Sequence, residues 1–452
     1  MLNSKKLGID SEYLDSVGEV NSADYHEVAE QRVVIIGLDG TPFSFLNAEI
    51  AAGNLPNIAA LTAQGSLVRM ETEIPTISSI AWTSFMTGTN PGEHGIYGFT
   101  DRKPGTYELY FPNYRHIKAE PFWDGLSRQG KRCCVINVPS TYPARPLNGV
   151  LVSGFVAPNL DRATYPREAF EDLRRMGYRI DVDASKGRES LDLLIEDLHC
   201  TLEKRRAAML HFWRQEKWDL FMCVFTGTDR LHHFLWRHYE ERDPVYSGEF
   251  LRFYRRLDAI IGEFASELPE DTRFYMLSDH GFCTAEKLVF LNRWLEREGY
   301  LSFVAAEPRS IMDIDPGKTS AYCMDPGRVY INLKGREPGG TVAPGRERDE
   351  LVAKLQSSLA ELEDPDGGKP MVRRVYQRAE LFHGPQLDLA PDLVVDPHRG
   401  YDFKGAMSSQ LIAPVGHLTG MHTYDDAFFF GPEEQETLAS IRNVASRIMS
   451  AG

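Results

Sequence analysis

The sequence predicts an α/β fold, with a central, mostly parallel sheet sandwiched by helices and a small cap built from insertions. Three observations predict it. Apolar runs of strand length recur at Val33–Leu38, Cys133–Val138, Leu220–Phe225 and 274–277, and runs that are apolar on both faces suit parallel strands covered on each side. Helical spacing fills much of the chain between them, notably around 189–216 and 247–267. Acidic residues and histidines stand directly after the apolar runs, where open α/β sheets bind their ligands.

Taken in order, residues 1 to about 30 are polar and acidic and read as a loose extension or a partner-binding arm. The run 33–38 is a buried strand that ends at Asp39-Gly40, and 55–61 opens an amphipathic helix. A Ser/Thr-rich turn surrounds Ser78. Strands at 133–138, 220–225 and 274–277 alternate with helices, as a doubly wound sheet requires. Residues 305–347, rich in Pro, Gly and charge, break that rhythm around an embedded strand at 328–333. A helix is predicted over 351–362, ending before the Asp364-Pro365-Asp366-Gly367-Gly368 turn, and 391–395 returns to strand. The chain shows no internal repeat. Residues 31–452 therefore read as one domain, with cap insertions around 100–215 and 305–370.

Composition narrows the function. A chain of 452 residues, 42% hydrophobic and 25% charged, is an ordinary globular protein. Its net charge of -15 argues against a nucleic-acid surface, yet bound cations can invert the local field and admit a phosphate ester. The six cysteines lack CxxC spacing and sit mostly in apolar contexts, which predicts reduced thiols and a cytoplasmic protein. The first residues lack the apolar core of a signal peptide, and no run reaches the roughly 18 apolar residues of a membrane span. Neither a membrane nor a nucleic acid is an expected partner.

Five short motifs carry the chemistry: Gly37-Leu38-Asp39-Gly40, the turn around Ser78, Asp229 with His233, Ser278-Asp279-His280-Gly281, and Gly420-Met421-His422. A lone Asp after a strand is commonly a turn or helix cap. Adjacent Asp and His at a strand end, by contrast, share no capping role. Asp229 and His233 lie four apart and so share a helix face. His232 and His238 compete with them, although His232 points about 100° away from that face. Three Asp, three His and a hydroxyl suit two divalent metals that share a nucleophile.

These motifs resemble those of the alkaline phosphatase superfamily, in its type I phosphodiesterase and nucleotide pyrophosphatase branch. The resemblance runs from about Val33 to Pro432 and is supported by the stretches 82–96, 332–337 and 390–394. It implies the alkaline-phosphatase-like fold. It also implies one metal held by Asp229, His233 and His422, and a second held by Asp39, Asp279, His280 and the nucleophile oxygen. Such mixed sets of His and carboxylate suit Zn²⁺, with Mn²⁺ as the alternative. Aligning Pro75-Thr76 and Thr87-Gly88 with the family pattern puts the nucleophile at Ser78, with Ser79 and Thr76 as alternatives. His417 rivals His422 for the last ligand place, and His94 is expected to be structural or to support a ligand.

Some positions depart from the family. Many nucleotide pyrophosphatases carry a Thr nucleophile and an Asn three residues on, where this chain has Ser78 and Ala81. Ser78-Ser79-Ile80-Ala81-Trp82 also lacks the Pro and Arg of a sulfatase motif. The resemblance implies a two-metal phosphoesterase that cleaves phosphodiester or pyrophosphate bonds of a small molecule through a phosphoserine intermediate. The alternatives are a phosphomonoesterase or phosphotransferase on a small metabolite, and a non-catalytic metal-containing binding protein. No cation follows Ser78 until Arg102, which favours a substrate with one charge fewer, unless Arg230 or Lys318 folds into the cleft.

Overall fold

A computed structural model of the chain describes residues 32–433 and 440–450. The polar extension predicted for residues 1–30 lies outside the described residues. Eight strands form the main sheet, in the order 66–70, 427–431, 273–277, 33–38, 220–225, 133–138, 149–153, 164–165. The five strands from 273–277 to 149–153 run parallel, while 427–431 and 164–165 pair antiparallel to their neighbours.

Side-chain alternation along Val33–Leu38 builds both cores. Val34, Ile36 and Leu38 join a cluster with the helices Leu191–Gln215, Gly227–Glu240 and Tyr246–Ala265. Val33 and Ile35 join the opposite cluster with Trp82 and Phe85 of the helix Ser78–Thr87. Gly37 lets that helix approach closely, because a Cβ there would stand 2.6 Å from Trp82 Cη2 and 2.9 Å from Val224 Cγ2. Such tight packing seats the start of the helix beside the end of the strand.

Parallel register aligns the strand ends. Leu38 pairs with Phe225, and Gly37 with Leu277. Asp39, the helix that starts at Gly227, and Asp279 therefore leave the sheet at one level along one edge. The amide of Asp39 donates to Phe225 O at 3.1 Å, and Thr228 Oγ1 donates to Asp39 O at 2.6 Å.

A smaller lobe covers part of that edge. Its antiparallel sheet has the order 321–324, 328–331, 393–397, 372–377 and packs with the helix Arg346–Ala360 around Leu355, Leu359 and Tyr330. A three-stranded sheet, 401–404, 287–290, 412–414, and the ribbon of 281–284 with 420–423 complete it.

The predicted strands 33–38, 133–138 and 220–225 have the observed limits. Elsewhere the limits move. The strand predicted for 328–333 ends at Ile331, where Leu333 begins a turn, and that for 391–395 runs Leu393–Pro397. The helix predicted for 351–362 is Arg346–Ala360, since Gly345 with φ +86° starts it and charged residues fill its first turn. The stretch 100–215 is not a cap insertion as a whole. It supplies the strands Cys133–Val138 and Gly149–Ser153 to the main sheet and the long helix Leu191–Gln215 to its layer, because these segments carry core side chains. Within 305–370, the strands 321–324 and 328–331 and the helix Arg346–Ala360 lie in the smaller lobe, together with strands as far as 414.

Candidate active site

Asp39, Asp229, His233, Asp279, His280 and His422 converge at the carboxyl edge of the main sheet. Asp229 lies in the first turn of its helix, where the dipole favours a carboxylate, and His233 follows one turn later. His233 Nε2 stands 3.4 Å and His422 Nε2 3.2 Å from Asp229 Oδ1, and the two imidazole nitrogens are 3.0 Å apart. His280 Nε2 lies 3.4 Å from Asp279 Oδ2 and 3.8 Å from both Asp39 Oδ1 and Asp229 Oδ1. It therefore stands between two ligand groups: Asp229, His280 and His422 on one side, and Asp39, Asp279 and His280 on the other.

His422 arrives by strand pairing. Asp279 and His280 run straight into the strand 281–284, which pairs with 420–423 so that Phe282 faces His422. The rings of His280 and His422 consequently stack, with centroids 3.6 Å apart. Gly40 turns the chain after Asp39 at φ +67°, and its amide donates to Asp279 Oδ1 at 2.9 Å. A Cβ on Gly40 would come within 2.6 Å of the Phe282 ring, so glycine is required on both counts.

Each of the three imidazoles has its Nδ1 beside a backbone carbonyl: His233 at Gly420 O, His280 at Gly281 O and His422 at Thr76 O, at 3.1, 3.0 and 3.1 Å. A carbonyl can only accept, so each Nδ1 carries a proton and each Nε2 points into the site.

Ser78 is the first residue of its helix, and Ile77 holds the cap position. Its hydroxyl is therefore not used for capping. Ser78 Oγ is 3.0 Å from His280 Nε2 and 3.4 Å from Asp39 Oδ1. The alternatives point elsewhere: Ser79 Oγ donates to Gly98 O and Thr76 Oγ1 to Glu73 O.

The other histidines also sort themselves. His232 is buried between Gly40 O at 2.9 Å and Tyr254 Oη at 2.7 Å. His238 faces Asp243, and His417 is exposed. His94 bridges Ser84 Oγ and the Ile96 amide, a structural role, and burial lowers its pKa to about 3.

One residue of the site was not anticipated as part of it. Trp82 is fully buried, and its indole N–H donates to Asp39 Oδ2 at 3.0 Å. It lies four residues after Ser78, one helical turn on, and that spacing was the available signal. Arg230 does enter the cleft, but it is held by Asp229 at 3.1 Å and Asp181 at 2.8 Å and lies over the Phe155 ring. Lys318 does not enter; it is exposed and paired with Asp315.

These residues fit divalent cations. Burial, then Asp279 and Asp229, push the Asp39 carboxyl well above its usual range, and burial lifts Asp279 to about 7. Burial also works to raise Asp229, but His233, His422 and Arg230 outweigh it and hold that carboxyl well below the usual range. Burial lowers His233 to about 4 and drives His280 well down, which keeps both neutral and ready to ligate. Asp229 Oδ1 and Asp279 Oδ2 are buried and have no hydrogen-bond partner, and both face the site. Ligand atoms of Asp39 and Asp279 lie within 4.8 Å, where two ionised carboxylates repel by roughly 3–4 kcal/mol at an effective dielectric of about 20. A divalent cation between them would relieve that repulsion without protonating either.

The fold and this cluster define an alkaline-phosphatase-like hydrolase. The chain belongs to the type I phosphodiesterase / nucleotide pyrophosphatase family, whose model matches residues 33–425. It is similar to phosphonoacetate hydrolase from Sinorhizobium meliloti 1021, solved with phosphonoacetate. That match has a TM-score of 0.64 at 15% identity and covers 94% of this chain and 96% of that one. It is also similar to an inactive murine ectonucleotide pyrophosphatase / phosphodiesterase 5 in complex with AMP, with a TM-score of 0.56 at 13% identity over 93% and 95% of the two chains. The human form gives a TM-score of 0.55 at 12% identity over 92% and 94%. Family membership supports phosphoester hydrolysis. Among the described residues, no helix is long and apolar enough to cross a membrane.

Two outcomes follow from this geometry. Trp82→Phe should keep the fold and weaken divalent-cation affinity by about 10–100-fold, measured by chelator competition; unchanged affinity in a folded variant would contradict the tether to Asp39. Asp279 titrates from 3.8 in the unfolded chain to about 7 when buried without cations. Chelated protein should therefore lose stability as pH rises through that window, because the folded form binds the extra proton. Thermal melts at about pH 5 and about pH 8 should show the gap between metal-loaded and chelated protein widening at the higher pH.

Proposed function

We propose that the protein is a metal-dependent phosphodiesterase that works through a phosphoserine at Ser78. The observation that carries this reading is the hydroxyl in contact with the carboxylate–histidine cluster: Ser78 Oγ touches His280 and Asp39, while Ser79 and Thr76 are bonded to backbone carbonyls. The histidines and carboxylates fit two divalent cations. Asp229, His233 and His422 would hold one, and Asp39, Asp279, His280 and Ser78 the other. The N/O donor set favours Zn²⁺, with Mn²⁺ as the alternative. When bound, the ions supply Lewis-acid charge that favours the serine alkoxide and neutralises the phosphoryl oxygens.

The residues of the chain do the rest. Ser78 Oγ stands at the start of a helix, whose positive dipole end favours anionic phosphoryl oxygens. Its oxygen forms a bond to phosphorus in line with the departing ester oxygen, which leaves as an alcohol after taking up a proton. Water then attacks the phosphoserine from the opposite side and regenerates Ser78, so the two displacements retain configuration at phosphorus. Arg230 is neutralised by Asp181 and Asp229 and offers little free charge to a dianionic monoester, which supports a diester with one negative charge.

Other findings agree with this reading. The neighbours of similar fold bind phosphonoacetate and AMP, both small phosphorus-centred anions. All six cysteines are free and five are buried, in keeping with a cytoplasmic setting. The test is turnover of bis-p-nitrophenyl phosphate. Activity should vanish on chelation and return with Zn²⁺ or Mn²⁺. Ser78→Ala should lower kcat by at least about 10³-fold while most of the metal stays bound. A Ser78→Ala variant of normal activity would remove the phosphoserine from the mechanism, and a large preference for p-nitrophenyl phosphate would favour the monoesterase.

A further inference from the structure

Two pairs of residues interleave on the helix Gly227–Glu240, and only one pair faces the cleft. Asp229 and His233 lie four apart and share one face. His233 stands with His422 in the wall of a cavity of about 600 Å³ between the main sheet edge and the smaller lobe. Thr228 and His232 also lie four apart, one residue earlier, so their face is turned by about 100°. Both are fully buried. That face meets the turn after the strand Val33–Leu38: Thr228 Oγ1 is 2.6 Å from Asp39 O, and His232 Nδ1 is 2.9 Å from Gly40 O.

Each of these hydrogen bonds has a fixed direction. Carbonyls only accept, so the Thr228 hydroxyl and the His232 Nδ1–H donate. The same hydroxyl lies 2.8 Å from Phe225 O, at the end of the strand beside the turn. Burial lowers the His232 pKa to about 3, so the ring is neutral and its Nε2 accepts from Tyr254 Oη at 2.7 Å. Tyr254 Oη in turn accepts from Thr41 Oγ1 at 2.9 Å. The His232 ring stacks on Phe250, with centroids 5.2 Å apart, and on Tyr254, so its orientation is fixed. Three successive residues of the turn are thus gripped: Asp39 and Gly40 by this helix, and Thr41 by Tyr254 of the helix Tyr246–Ala265.

The gripped turn carries the other half of the cluster. Asp39 is one of its residues, and the Gly40 amide donates to Asp279 Oδ1. Asp39 and Asp279 form one ligand group with His280, whereas Asp229 belongs to the other. One helix therefore presents Asp229 and His233 to the first group and holds, one position back, the turn that places the second. We propose that Thr228 and His232 are positioning residues that set the spacing between the two cation places and govern affinity for the cation at Asp39 and Asp279. The proposal rests on the two-cation reading of the site. Without these donors the turn keeps its link to the Trp82 indole but loses its tie to the helix that carries Asp229.

The test is a Zn²⁺ titration of full-length protein, first stripped of metal, with chelator competition to resolve each binding step. Wild type should take up two cations. Thr228→Val keeps the shape of the side chain without its donor, and His232→Leu removes the ring N–H. In each variant one of the two affinities should fall about 10–100-fold while the other holds. Thr228→Ser and His232→Asn keep a donor at these places and should bind both cations as wild type does. A merely structural role would lower the melting temperature and weaken both steps together, with no rescue in Thr228→Ser or His232→Asn. That result, or two unchanged affinities in folded Thr228→Val and His232→Leu, would overturn the proposal. Wild type that binds fewer than two cations would instead remove the two-cation reading, and the positioning role with it.

Discussion

Three buried carboxylates that cannot all be ionised without cations govern the rest of this structure. Asp39, Asp229 and Asp279 are each at most 5% exposed and meet around one histidine, His280. Bringing even one bare carboxylate into such a place costs several kcal/mol. The surroundings limit that cost in three ways: Asp229 stands at a helix N-terminus beside Arg230, Asp39 accepts the Trp82 indole, and Asp279 accepts the Gly40 amide. Asp229 Oδ1 and Asp279 Oδ2 remain without hydrogen bonds and open to the site. The fold thus concentrates negative charge at one edge, in a cluster whose residues fit divalent cations.

The main sheet makes that concentration reproducible. Parallel strands in matched register end at one level, so residues 240 positions apart, Asp39 and Asp279, are adjacent. The close approach at Gly37 brings the Ser78 helix to the same edge and aims both Ser78 and Trp82 at Asp39. The smaller lobe then delivers His422 through a two-stranded ribbon that continues from His280. The positions of Ser78, of the carboxylate–histidine cluster and of the walls of the interlobe cavity all follow from the same packing.

Much of this was legible in the sequence, for physical reasons. Apolar runs such as 33–38 and 220–225 are buried on both faces, and that burial shows as an unbroken hydrophobic signal. The i,i+4 spacing of Asp229 and His233 defines one helix face directly. Less was legible where contacts are long-range. Nothing near His422 reveals that its strand pairs with 281–284, and the family resemblance alone linked it to Asp229. Trp82 reads as an ordinary core aromatic until Gly37 is seen against it. The cap was misplaced over 100–215, although the strand 133–138 was read within it, because the short strand 149–153 gives little signal of its own, whereas the cavity walls come largely from 394–404 and 421–425.

The central claim, that these carboxylates and histidines form one paired cation site, is tested most directly by anomalous X-ray diffraction from crystals of the protein grown with Zn²⁺. The account predicts two strong peaks in a single cleft, one ligated by Asp229, His233 and His422 and the other by Asp39, Asp279, His280 and Ser78. Crystals that show no anomalous peak at this cluster, or cations bound only elsewhere on the protein, would contradict it.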